Sequence, residues 1–251
     1  MIDRISHTYD ILELRLNRPP VNALNPSLVS ELNSALDRAE ADGASGIVLS
    51  GQPGLFSAGL DVPALLRLDE RGMRAFWTDF FGLLERLARA PMMVCAALTG
   101  HSPAGGTVLA LFCDYRVQAK GDYRLGLNEV QVGLVVPPVI HQALVRLIGA
   151  YRAERHLVAG QMIPIKDAQA IGLVDELVPQ GEVVDRSLHW IQAHLDMPAH
   201  ALKKTRELCR SDLVALFDAP DALDIDTFVA GWFEPATQAS LKQLVDRLGK
   251  D

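Results

Sequence analysis

Glu129 is a carboxylate set among apolar neighbours. Gly126-Leu127-Asn128 precedes it and Val130 to Pro138 is almost wholly apolar, so the segment is expected to be buried. Burial disfavours the charged form of a carboxylate and lifts its pKa toward neutrality, which suits a general acid or base. The plain alternative is a surface glutamate capping Asn128 or a neighbouring turn. Gly100-His-Ser-Pro-Ala104 approaches the Gly-x-Ser-x-Gly elbow of nucleophilic hydrolases but fails it on physics. The residue after the nucleophile must donate a backbone N–H to the oxyanion, and Pro103 has none. Ser102 and His101 are therefore read as loop residues, with His101 placed to line a pocket mouth. Two glycine-containing turns are more informative: Phe56-Ser-Ala-Gly-Leu-Asp61 and Ser102-Pro-Ala-Gly-Gly106. Small residues let backbone N–H groups approach a ligand atom, and those at a helix N-terminus carry partial positive charge. Together the turns would make an oxyanion hole; taken singly, each is a strand-to-helix turn.

The elements that must position these residues follow an α/β order. Ile11 to Leu16 alternates Leu12, Leu14 and Leu16 with Glu13 and Arg15, the period of a half-buried strand. Asn25 caps a helix that Pro26 starts, with Leu28, Val29, Leu32, Leu36 and Ala39 as its apolar stripe, and Gly43 and Gly46 stop it. Ile47 to Ser50 and Met92 to Leu98 read as strands. Thr99 to Ala104 reads as a loop, Gly105 to Phe112 as a helix and Val174 to Val178 as a strand. Beyond Val178, helices are expected over Val183 to His194, Ala199 to Cys209 and Pro235 to Leu248, the last with Leu241, Leu244, Val245 and Leu248 on one face. Phe228, Val229, Trp232 and Phe233 are too apolar for water and are expected to dock on the main domain or on a neighbouring subunit.

Other residues have plainer roles. Asp61 is expected to cap a short helix at Val62-Pro63, Glu85 and Arg89 to pair at i and i+4, and Asp114 to pair with Arg116. Leu65, Leu66, Leu68, Phe76, Trp77, Phe80 and Phe81 are either helix core or the lining of a ligand tunnel. Cys95, Cys113 and Cys209 are odd in number and lack a CxxC neighbour, so free thiols are expected, and no metal site. With 31 acidic against 24 basic side chains and a net charge of -7, the chain offers no general attraction for nucleic acid or an anionic membrane. No apolar run reaches membrane-spanning length and no signal-peptide core follows Met1, so a cytoplasmic protein is expected.

Phe56-Ser-Ala-Gly-Leu-Asp61, Ser102-Pro-Ala-Gly-Gly106, Cys113-Asp-Tyr-Arg-Val117 and Ala170-Ile-Gly-Leu-Val-Asp-Glu-Leu-Val178 resemble, in order and spacing, the enoyl-CoA hydratase/isomerase (crotonase) superfamily. Ser-Pro-Ala-Gly-Gly, Cys-Asp-Tyr-Arg and Gly126-Leu-Asn-Glu129 look most like its mitochondrial-type Δ3,Δ2-enoyl-CoA isomerases. The resemblance implies a crotonase-type spiral of repeated β-β-α units over about residues 1–195. A helical region over 196–251 would serve packing or oligomerisation, as a homotrimer or dimer of trimers.

It also implies an acyl-CoA thioester substrate, with coenzyme A entering as part of that substrate and no further cofactor. The thioester oxygen would be held by the backbone N–H groups of Leu60 and Gly105, with Ser57, Ala58, Gly59, Asp61, Pro103, Ala104 and Val108 shaping the substrate site. Family hydratases carry two glutamates; the first falls on Val108 and is absent here, the second on Glu129. One base is enough to take a proton from C2 and return it at C4, so the resemblance favours isomerisation. A dry pocket at Val108 would suppress hydration and lift the Glu129 pKa. Hydration, thioester hydrolysis, decarboxylation and silent acyl-CoA binding remain alternatives. Lys203, Lys204, Lys242 and Arg18 are candidates for the CoA phosphates by charge alone.

Overall fold

Two sheets organise the chain, and the computed structural model describes residues 1–219 and 223–248. The larger sheet runs β1 (Ile2–Ser6), β2 (Ile11–Leu16), β3 (Gly46–Ser50), β5 (Met93–Leu98), β7 (Tyr115–Ala119) and β10 (Glu176–Val178), in that spatial order. The smaller one runs β4 (Gly54–Leu55), β6 (Gly100–Pro103), β8 (Arg124–Gly126) and β9 (Ile163–Pro164). Only β1 on β2 and β8 on β9 are antiparallel. Three successive strands of the large sheet are each followed by one strand of the small sheet and then helix. β3 and β4 lead to α2 (Val62–Leu65) and α3 (Glu70–Arg89), and β5 and β6 to α4 (Gly105–Leu111). β7 and β8 lead to α5 (Pro138–Ile148) and α6 (Ala150–Ala159). This is the repeated β-β-α unit, and the second sheet distinguishes it from an open doubly wound fold. The segment expected as a loop over Thr99 to Ala104 is mostly β6, because Leu55 pairs His101 and Ser102 pairs Leu125 in register.

Helix α1 (Pro26–Ala41) starts as its residues dictate: Asn25 accepts a hydrogen bond from the Leu28 N–H at 2.9 Å and Pro26 occupies the first turn. Its stripe of Leu28, Val29, Leu32, Leu36 and Ala39 is buried, and α1 packs on α3. Gly46 opens β3 instead of ending the helix; Gly43, in the left-handed region at φ 75°, follows the helix end. The expectation of a half-buried β2 is overturned. β1 and β3 flank it, and α1 and α8 (Val183–Leu195) cover opposite faces of the large sheet. Glu13 is consequently fully buried. Burial alone would raise its pKa, but hydrogen bonds from Ser50 at 2.6 Å, His7 at 3.0 Å and Arg15 at 2.9 Å outweigh burial and hold it below the usual carboxylate value.

The remaining helices are α7 (Ile165–Ala170), α9 (Ala199–Cys209), α10 (Ser211–Ala215), α11 (Ile225–Phe233) and α12 (Pro235–Leu248). Asp114 does not pair with Arg116. Arg206 and Arg210, one turn apart, both reach Asp114 at 2.9 Å, while Arg116 on β7 faces Asp175 at 2.7 Å just before the neighbouring β10. Arg210 also donates to the carbonyls of Leu87, Ala88 and Phe112, tying the C-terminal helices to the ends of α3 and α4. On α11, Val229 and Trp232 are wholly buried, so this apolar cluster docks on its own chain, although Phe233 stays partly exposed. Leu241 of α12 is buried, Leu244 and Val245 are half-buried, and the Leu248 side chain lies outside the described residues. Among the described residues no helix is long and apolar enough to cross a membrane.

Candidate active site

Four residues singled out in the sequence border one small cavity: Leu60, Gly105, Val108 and Glu129. Three further elements complete its wall. Trp77 and Phe80 project from α3, Leu134, Pro137 and Ile140 from the start of α5 and the loop before it, and Phe228 from α11. The aromatic stretch of α3 divides between core and cavity wall. Phe76 and Phe81 are core, while Trp77 and Phe80 face the cavity. Phe228 lies on Trp77 with ring centroids 4.1 Å apart and closes the side next to the C-terminal helices.

The first glycine turn is built by Ser57, whose hydroxyl donates to the Asn22 carbonyl at 2.8 Å and accepts from the Gly59 N–H at 3.2 Å. Gly59 sits at φ 87°, and a Cβ there would lie 3.0 Å from both the Ala104 Cβ and the Pro103 carbonyl oxygen. The two turns thus press against each other, and only glycine fits at the point of contact. A Cβ on Gly105 would likewise stand 3.4 Å from the carbonyl carbon of Gly59, the atom bonded to the Leu60 nitrogen. Ala104, at φ 45° and ψ -116°, is a strained link that turns the chain from β6 into α4. Among the described residues neither the Leu60 nor the Gly105 N–H has a protein acceptor, so both donors are free for a ligand.

Ser57, Ala58, Gly59, Asp61, Pro103 and Ala104 stand behind this surface and do not border the cavity. Asp61 caps α2 through the Ala64 N–H at 3.0 Å and holds Arg18 at 2.5 Å, which engages that arginine in the turn. Lys204 pairs with Glu207. Lys203 borders a cavity of about 380 Å³ between the end of α3 and α9–α10, remote from the candidate residues. Ser102 is buried and Pro103 follows it, in keeping with its dismissal as a nucleophile. Burial also pushes the Cys95 thiol up to about 12, which leaves it inert.

Glu129 begins a 3-10 turn, Glu129–Val132, that ends at Gly133. The segment is less buried than its composition predicts. Val130 and Val135 are 43% and 79% exposed, because the turn lies across the surface; Glu129, Leu134 and Pro137 border the cavity, and Val132 and Val136 are half-buried against the core. The Glu129 Oε2 atom is out of contact with solvent and has no hydrogen-bond partner among the described residues. Burial pushes this carboxyl up to about 7, opposed only in part by its own backbone N–H. No other residue bordering the cavity titrates. A carboxyl raised toward neutrality therefore borders the same apolar cavity as Leu60 and Gly105, whose backbone N–H groups are unengaged among the described residues.

Sequence reasoning missed Ile140 and gave Phe228 only a docking role. Leu134, Pro137 and Phe228 also border an adjoining apolar chamber of about 360 Å³, walled by residues 133–138 and by α11. The spacing of Phe228 and Trp232 at i and i+4 marks the inward face of α11, but nothing local says that this face reaches Glu129.

Comparison with known proteins agrees with this arrangement. The model of the enoyl-CoA hydratase/isomerase family matches residues 7–232. Human mitochondrial enoyl-CoA delta isomerase 1 is 32% identical over 241 residues, 95% of this chain and 80% of that protein. The probable enoyl-CoA hydratase echA17 of Mycobacterium avium is 32% identical over 212 residues, 83% of this chain and 80% of that one. The crystal structure of human mitochondrial delta3-delta2-enoyl-CoA isomerase superposes with a TM-score of 0.94 at 30% identity, covering 99% of this chain and 98% of the human one. The matched region takes in both glycine turns, the Glu129 turn and most of α11, and the crotonase spiral is common to both structures: the chain belongs to the enoyl-CoA hydratase/isomerase family.

Proposed function

We propose that this protein is a Δ3,Δ2-enoyl-CoA isomerase in which Glu129 is the sole general acid and base. The observation that carries the reading is the pairing of one unpartnered carboxylate with Val108 in the same cavity, where a hydratase would place a second carboxylate. The thioester carbonyl accepts hydrogen bonds from the Leu60 and Gly105 N–H groups, which makes the C2 proton acidic. Glu129 removes that proton, the C3–C4 double bond shifts to C2–C3 through the dienolate, and the same carboxyl returns the proton to C4. No atom is gained or lost. Each backbone donor contributes about 3 to 4 kcal/mol to stabilising the developing oxyanion. The apolar wall admits no second group to position and deprotonate water, so hydration is disfavoured. The adjoining chamber offers the acyl chain a route past Phe228.

The test is a spectrophotometric comparison of 3-enoyl-CoA isomerisation with 2-enoyl-CoA hydration. Isomerisation should dominate, and Glu129→Gln should lower it at least about a hundredfold while CoA-ester binding survives. Hydration as fast as isomerisation would overturn the reading, as would binding without turnover. Trimeric or hexameric assembly and a cytoplasmic location belong to the same proposal; light scattering and cell fractionation test them.

A further inference from the structure

We propose that Thr237, on α12, is a positioning residue for Glu129, its hydroxyl holding the turn from which the carboxyl is aimed. The inference rests on Glu129 being the base.

Among the described residues no side chain bonds to Oε2 of that carboxyl, and the side chains bordering the cavity are apolar apart from the Trp77 indole. The direction of the carboxyl is therefore set by the backbone of the turn. Internally the turn is closed by Gln131 N–H to Asn128 O at 3.0 Å, Gly133 N–H to Val130 O at 3.3 Å and Leu134 N–H to Glu129 O at 3.0 Å. Among the described residues two side-chain bonds tie it to other elements. The Gln131 amide donates to the Gly160 carbonyl at 2.9 Å, and the Thr237 hydroxyl donates to the Gly133 carbonyl at 3.0 Å. Both bonds are half-buried: exposed Gln131 reaches the buried Gly160, whereas Thr237, 5% exposed, reaches the exposed Gly133.

Thr237 does not behave as an ordinary helix threonine. Ser240, one turn on, bonds back to the Ala236 carbonyl of its own helix, whereas the Thr237 hydroxyl crosses to another element. The approach is close because Gly133 lies at φ 79° with its missing Cβ facing α12; a Cβ there would stand 3.3 Å from the Thr237 Cα. The helix is itself anchored, through the Gln238 amide donating to the Trp232 carbonyl at 2.8 Å, to α11, which carries Phe228 into the cavity wall. The bond at Gly133 thus fixes the residue before Leu134, which is bonded to the Glu129 carbonyl and also borders the cavity. Asp224 and Glu234 border the adjoining apolar chamber on the same side as Gly133 and Thr237, and neither borders the cavity at Glu129; other titratable or charged groups lie on other sides of the turn. Arg247 of α12 borders a groove with Asn128 and Gln131, and His156 stands one turn before Gly160; neither reaches the cavity.

Thr237→Val removes the hydroxyl and keeps the shape; Thr237→Ser keeps the hydroxyl. The intact protein, carrying carbon-13 at its glutamate carboxyls, is titrated by NMR, with the Glu129 signal assigned by its loss in Glu129→Gln. Thr237→Val should move the Glu129 midpoint down by a pH unit or more as water reaches a loosened turn, and lower kcat at least tenfold with KM within threefold. Thr237→Ser should restore both to within about twofold of the unaltered protein. A lower melting temperature with an unchanged midpoint and kcat would overturn the proposal and leave Thr237 a purely structural residue. If Thr237→Val does not fold, Thr237→Ala serves in the same comparison. A shifted midpoint in a protein that does not isomerise 3-enoyl-CoA would refute the proposed function while upholding the positioning role.

Discussion

Val108, near the start of α4, and Glu129, the first residue of the 3-10 turn, border the same cavity. Val108 is 2% exposed and contributes only methyl groups where a second carboxyl would serve to bind and deprotonate water. Val108→Glu should bring 2-enoyl-CoA hydration above background and slow isomerisation, because two facing carboxyls raise one another's pKa. An unpartnered polar group at this depth costs about 1 to 3 kcal/mol, which for a chain of this size lowers Tm by several degrees. Paired hydration and isomerisation assays with thermal melts check this. An unchanged isomerisation rate with no hydration would show that residue 108 does not govern the reaction.

The raised pKa of Glu129 has consequences for both rate and stability. The base must be ionised, so kcat/KM should rise about tenfold per pH unit on the acid side and level off above a midpoint of about 7. For stability the sign is opposite. Between the ordinary carboxyl value of 4.5 and about 7 the folded state holds a proton that the unfolded chain releases, so this group's contribution is fully favourable below 4.5 and lost as pH rises through 7. At 1.36 kcal/mol per pKa unit the loss is at most about 3 kcal/mol, less what residual solvent contact screens. Glu129→Gln should therefore flatten the fall of Tm between pH 5 and 8. An equal slope in both proteins would contradict a buried, raised carboxyl.

How much of this was legible in the chain differs by residue. Asn25-Pro26 and the Asp61 cap act through neighbours two or three positions away, so local chemistry sufficed to read them, whereas the glycine turns were legible as turns but not in their contact with each other. Glu13 was misjudged because its alternating neighbours describe only the strand, whereas its burial depends on β1, β3 and helices on both faces. Asp114 was assigned to Arg116 on proximity in sequence, yet its partners lie on α9 and in the link to α10, far along the chain. Val130 to Pro138 was read as a buried wall by composition, though only the side chains turned inward are buried. The meeting of Leu60, Gly105, Val108 and Glu129 came from the family resemblance, since spacing alone does not place three separate segments around one cavity.

Gly105 tests the oxyanion turns. Its Cβ would stand 2.8 Å from the Leu24 Cδ1 atom and 3.4 Å from the Gly59 Cα and carbonyl carbon, so a branched side chain must push the two turns apart. Gly105→Val should lower kcat about a hundredfold, the scale of losing one oxyanion donor, with substrate binding within about threefold. Transient kinetics and direct CoA-ester titration separate the two effects. Loss confined to binding would mean that the donors act on the ground state.

Gly231 tests where the acyl chain goes. The cavity at Glu129, at about 20 Å³, has room for about one water, far less than an acyl chain, so the chain must extend beyond it. The chamber of about 360 Å³ opens past Leu134, Pro137 and Phe228, which border both spaces. Gly231 borders that chamber from α11, and a Cβ added to it meets nothing within 4 Å. Gly231→Leu should therefore fold well, with helix propensity improved by somewhat under about 1 kcal/mol, while its side chain occupies the chamber. For a twelve-carbon 3-enoyl-CoA kcat/KM should fall at least tenfold; for a six-carbon substrate the change should stay within about threefold. If the long and short substrates fall together, or neither falls, the chain does not pass between α11 and residues 133–138.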